Sequence, residues 1–85
     1  MAYRIVMTAE ARRNMLVLPR DVARRVDACI LALAQTPRPP RTRKLKGAAD
    51  LWRVRVGDYR VIYQVEDDRL LIVVIRIRHR REVYR

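Results

Sequence analysis

The sequence predicts an α+β fold: an N-terminal strand, an α-helical hairpin and then a three-stranded antiparallel meander, in the order βααβββ. Three observations carry this. Apolar residues recur at helical spacing ahead of Pro37 and at strand spacing from Leu51 onward. Pro19 divides the helical part, and Pro37, Pro39 and Pro40 close it. Gly57-Asp58 separates two alternating runs, with Gly first, as a type II′ hairpin loop requires.

Residues 3–7 read as a short strand. Thr8 is placed to N-cap the first helix, with Glu10 in the first turn, where the helix dipole favours a carboxylate. That helix, Ala9 to about Leu18, has a narrow apolar stripe of Ala11, Met15 and Leu18, and Pro19 breaks it. The second runs from Arg20 or Asp21 to Gln35. Val22, Val26, Cys29, Ile30 and Leu33 share one face of its 3.6-residue period, and Arg24, Arg25 and Asp27 share the other. Both are too short to hold without a sheet beneath them. Residues 36–47 read as an irregular connector, with five cations in the nine residues from Arg38 to Lys46.

The hairpin loop sets a register. Val56 lies opposite Tyr59, Arg55 opposite Arg60, Val54 opposite Val61 and Trp52 opposite Tyr63. One face then carries Trp52, Val54, Val56, Tyr59, Val61 and Tyr63, a core face under the helices. The other carries Arg53, Arg55 and Arg60. Like charges directly opposite destabilise a sheet, so three convergent guanidiniums point to an anion that binds there. The third strand of the meander, Arg69 to about Ile77, is apolar without a break and suits a central position. Its register stays open: a two-residue turn at Asp67-Asp68 and a three-residue turn from Glu66 give opposite facings, so Arg76 has no assigned face.

Length and charge bound the function. Eighty-five residues (1–85) make a single domain with a modest core, burying roughly 60–65% of the unfolded surface. The lone Cys29 cannot form an internal disulfide, which suits a reducing compartment. Neither the N-terminus nor the apolar run Leu70–Ile75 has the length of a signal or membrane segment, so a soluble, cytoplasmic protein without membrane contact is expected. Twenty cations against nine acids give +11, and all but Lys44 and Lys46 are Arg. Guanidinium stays charged and grips phosphate bidentately, so the expected partner is nucleic acid. One His and scattered acids have no metal-ligand spacing; no metal or other cofactor is expected.

Lys44-Leu-Lys-Gly47, Leu51-Trp-Arg-Val-Arg-Val-Gly-Asp-Tyr-Arg-Val-Ile-Tyr63 and His79-Arg-Arg-Glu-Val-Tyr84 together resemble the RelE branch of the RelE/ParE toxin superfamily. The resemblance spans the chain in length, element order and all three segments, and the Glu-Val-Tyr tail is its most specific part. It implies a RelE-like fold and a metal-independent endoribonuclease, an mRNA interferase that enters the ribosomal A site. There the 2′-hydroxyl of the mRNA attacks its own phosphate. It also implies inhibition by a cognate acidic antitoxin protein. By position, Arg60, Arg80 and Tyr84 are the implied catalytic residues. Arg53, Arg55, Arg43, Lys44, Lys46, His79 and Arg81 are the implied RNA contacts.

The chemistry suits these types. Such cleavage needs a base for the 2′-proton, cations for the charge of five-coordinate phosphorus and an acid for the leaving oxygen. Only RNA has that hydroxyl. Some relatives have Lys at the positions of Arg53 and Arg55, but Arg cannot serve as a base. That leaves Tyr84 first and His79 second as candidate bases. A ParE-like gyrase inhibitor and a non-catalytic basic nucleic-acid-binding module are the competing readings.

Overall fold

The computed structural model describes residues 2–47 and 50–83, the side chains of Glu82 and Val83 excepted. The elements are β1 (Arg4–Met7), α1 (Ala9–Leu16), α2 (Arg20–Leu33), β2 (Arg43–Lys44), β3 (Leu51–Val56), β4 (Tyr59–Glu66), β5 (Leu71–His79) and α3 (Arg80–Val83). The strands form one sheet in the order β1-β5-β4-β3-β2. β1 runs parallel to β5, and the other neighbours are antiparallel. The predicted α+β order is present, with two additions.

The first addition lies in the connector, which the sequence presents as irregular throughout. Past its prolines, Arg43 pairs with Arg53 and Lys44 with Trp52, giving the sheet a short edge strand. Two residues are too few to show a period, and short, charged edges are the usual protection against unwanted strand pairing. The second addition is α3, a single turn after β5, where the sequence suggests only a basic tail.

Thr8 caps α1 as expected, its Oγ1 accepting from Ala11 N at 3.1 Å. The helix stops at Leu16, two residues early, and Pro19 is the N-cap of α2, which stops at Leu33, two residues short of the expected Gln35. The apolar stripes dock on one face of the sheet. Ala11, Val26, Ile30 and Leu33 are buried with Val54, Val56, Val61, Tyr63, Val65, Ile72, Val74 and Ile77. Fully burying a side chain such as Val, Leu or Ile contributes about 1.5–3 kcal/mol, and this layer is what holds the helices down. The Tyr63 hydroxyl donates to Pro37 O at 2.6 Å, fastening the connector to the sheet. Trp52 packs on the rim of this core, in line with its parity, with Arg38 and Lys44 5.0 and 6.0 Å from its ring centre.

The hairpin register is the expected one from Trp52/Tyr63 to Val56/Tyr59, and Gly57 takes the left-handed φ of +58° that the turn needs. The ambiguous turn resolves as a 3₁₀ turn, Asp67–Arg69, followed by Leu70 at φ +48°. β5 therefore begins at Leu71 and extends to His79, two residues beyond the expected limit. An irregularity sits where Ile62 pairs with Arg76 but Tyr63 with Val74, leaving Ile75 as the extra residue. That bulge fixes the facing of every later residue in the strand.

β1 ends at Met7, opposite Val74, so the edge of β5 beyond that point would be bare. α1 covers it. Thr8 Oγ1 donates to Ile75 O at 2.6 Å, and Asn14 Oδ1 accepts from Ile77 N at 2.9 Å. The first turn of α1 is thereby tied to the β5 segment that carries Arg76 and Arg78.

Candidate nucleic-acid interface

Pairing across the sheet assembles arginines that are far apart in sequence. Arg55 is opposite Arg60, and Arg60 is opposite Arg78, so one row crosses β3, β4 and β5. Beside it, Arg43 is opposite Arg53, Arg53 opposite Ile62 and Ile62 opposite Arg76. Paired residues share a face, so both rows lie on the side of the sheet away from α1 and α2. Directly opposed side chains have Cβ atoms about 5 Å apart, where like charges repel.

Arg60 is the centre of this face and is 5% exposed. Its Nη1 donates to Tyr59 O at 3.2 Å, and its buried Nε has no partner among the described residues. A buried charged donor left without an acceptor is costly, and an anion would supply the acceptor. At the far end of the rows, Arg78 Nη2 donates to Glu10 Oε2 at 2.6 Å, and Arg76 Nε lies 3.7 Å from the same oxygen. At the opposite end the face runs over β2 into a groove of about 350 Å³ lined by Pro40, Arg41, Thr42, Arg43 and Arg55.

The candidate residues divide accordingly. Arg43, Arg53, Arg55 and Arg60 are brought together. Lys44 has the opposite parity and sits by Trp52, while Lys46 is exposed in the turn after β2. His79 pairs with Tyr59 on the helix side of the sheet, its ring edge-on to the tyrosine at 5.2 Å. Its Nδ1 accepts from Arg81 N at 3.3 Å. Alternation along β5 thus turns His79 to the face opposite Arg78. Arg80 lies past the end of β5, where its backbone N donates to Asp58 O at 2.7 Å and its Nε stands 3.9 Å from the Asp58 carboxylate. Arg81 is exposed beside it. Tyr84 lies outside the described residues.

Arg76 and Arg78 join the face without having been legible as members of it. Their alternation with Ile75 and Ile77 is visible in the sequence, but the bulge at Ile75 and the four-residue connection from Asp67 to Leu70, which is neither of the two turns the sequence suggests, are not. Among the described residues, no group of three His, Cys, Asp or Glu side chains gathers as a metal site would.

Known proteins share this chain's sequence and architecture. Residues 3–84 match the family model described as ParE toxin of type II toxin-antitoxin system, parDE. The chain is 33% identical, over an alignment of 89 positions, to the toxin RelG of Mycobacterium tuberculosis (strain ATCC 25618 / H37Rv), covering 100% of this chain and 99% of that protein. Among solved structures, the RelE–RelB complex of Pyrococcus horikoshii OT3 superposes with a TM-score of 0.85 at 31% identity, over 96% of this chain and 99% of that one. The isolated RelE toxin of E. coli gives 0.81 at 26% identity, over 98% and 92%. Fold and sequence together define a toxin of the type II toxin–antitoxin class. The chain belongs to the RelE/ParE toxin family, and those two solved structures are RelE structures.

Proposed function

We propose that this toxin is a ribosome-dependent endoribonuclease that cuts mRNA in the A site by metal-independent 2′-hydroxyl attack. The observation that carries the reading is the row Arg55–Arg60–Arg78, with the buried and unpaired Nε of Arg60 at its centre. A phosphodiester seated there gives Arg60 the acceptor it lacks and brings guanidinium charge to the non-bridging oxygens. Those oxygens gain charge as the 2′-oxygen bonds to phosphorus, and preorganised donors stabilise that change. Arg53, Arg55 and Arg43 would hold the flanking backbone, and Arg80, Arg81 and Lys46 add charge at its margins. With His79 turned to the other face, Tyr84 is left as the proposed proton-transfer residue.

The natural inhibitor would be an acidic antitoxin. Relatives solved as RelE–RelB complexes support this, and +11 on 85 residues is strongly complementary to such a partner. The site of action would be the cytoplasm; among the described residues no helix is long and apolar enough to cross a membrane.

Mapping mRNA 5′ ends after induction tests the reading. Wild type should leave new ends within translated codons, and Arg60→Ala and Tyr84→Phe should abolish them. A second reading, inhibition of gyrase, is favoured by the ParE description of the matching family model. It predicts DNA damage with mRNA intact and no dependence on Tyr84.

A further inference from the structure

The arginine face contains a carboxylate that works against RNA binding. Glu10 stands in the first turn of α1, and Thr8 anchors that turn to β5 through Ile75 O. Its Oε2 accepts from Arg78 Nη2 at 2.6 Å and lies 3.7 Å from Arg76 Nε. Both side chains of the closer pair are about two-thirds covered, so the contact is better defined than a surface ion pair. A negative charge here lowers the attraction of the face for phosphate, at the end of the row that has Arg60 at its centre.

We propose that Glu10 is a positioning residue: it holds the Arg78 guanidinium in the row beside Arg60, aligned for the transition state, at the expense of affinity for RNA. This inference rests on the ribonuclease reading. Repulsion creates the need for such a residue. Arg55, Arg60 and Arg78 are consecutive neighbours across three strands, and long side chains relieve such crowding by swinging into water. A guanidinium that swings out still attracts RNA but does not meet the developing phosphorane charge at a fixed distance. Fixed geometry is what lowers the barrier. Glu10, tied to β5 by Thr8, draws Arg78 to a defined place.

Two quantities should therefore move in opposite directions when Glu10 is neutralised. Glu10→Gln keeps the side-chain length and one acceptor oxygen while removing the charge. Its binding to a 2′-O-methylated RNA oligonucleotide, which has no nucleophile, should tighten by about 2–5-fold at low salt. Its rate of cutting programmed ribosomes at saturating toxin should fall by about 10–100-fold. Glu10→Asp, which restores the charge one methylene short, should recover part of that rate. In an Arg78→Ala background, Glu10→Gln should change the residual cutting rate by less than about twofold, because the effect runs through Arg78.

Binding and cutting that rise together would overturn the proposal in favour of simple charge screening. Binding and cutting that fall together, or an undiminished effect without Arg78, would overturn it in favour of a structural role in α1. An active wild type with an equally active Glu10→Gln refutes the role of Glu10 alone. A wild type that binds RNA but leaves ribosome-bound mRNA whole refutes the ribonuclease reading and this inference with it.

Discussion

Arg60 and Arg78 face each other across β4 and β5, one buried with an unpaired Nε and the other held by a carboxylate from α1. Neither the crowding nor the missing acceptor helps the fold. Both fit the phosphate-binding role proposed above for this row.

Arg60→Met should raise stability while removing toxicity. The replacement fills a similar space, removes a buried donor without an acceptor and relieves repulsion from both neighbours. Such exchanges are commonly neutral or stabilising, so a gain of about 1–2 kcal/mol in unfolding free energy is expected. Urea titration of the purified variant measures it, alongside growth after induction. A large destabilisation would mean that Arg60 is structurally satisfied.

Salt dependence should report how many phosphates the face neutralises. For single strands, log affinity falls with log salt with a slope of about −0.7 per phosphate contacted. Arg55→Ala, an exposed member of the first row, should make that slope shallower by roughly one contact and weaken binding evenly across RNA sequences. Fluorescence anisotropy with a non-cleavable oligonucleotide gives the slope directly. No change would place the RNA elsewhere.

Asn14 should protect the β5 edge beyond β1. Its Oδ1 accepts from Ile77 N, the residue between Arg76 and Arg78. Asn14→Ala leaves that amide without its partner, at a cost of about 1–3 kcal/mol. Hydrogen exchange at Ile77 N should accelerate markedly more than at Val65 N, which is held by Asp50 O.

Acid stability should depend on Asp67. Its carboxylate accepts two hydrogen bonds from Arg38 and one from Tyr3, and these hold its pKa at about 2. The folded value lies below the unfolded one of about 3.9. The contribution is therefore present above that pH and is lost as pH falls through about 2. Tyr3 behaves in the opposite sense: its hydrogen bond to Asp67 raises its pKa, so its contribution is present below about pH 10 and is lost at higher pH. Asp67→Asn should flatten the loss of stability between pH 4 and 2, as read from unfolding midpoints. An unchanged acid limb would show that the contact is absent in solution.

The helical hairpin, the β3–β4 register and the convergence of Arg53, Arg55 and Arg60 are all legible in the linear sequence. Each depends on short-range rules: periodicity within a helix, proline stops, and a two-residue Gly-Asp turn that fixes partners on either side. The other half of the face is set by tertiary structure alone. Arg76 and Arg78 enter it because a 3₁₀ turn and the bulge at Ile75 set the phase of β5, and an unbroken apolar run carries no parity signal. The same phase turns His79 to the helix side, against Tyr59. Glu10 and Arg78 are 68 residues apart in sequence and meet only because β1 lies beside β5 and α1 closes the edge that β1 leaves open. Local patterns fix local geometry, but a contact between the two ends of the chain requires the whole sheet to be assembled.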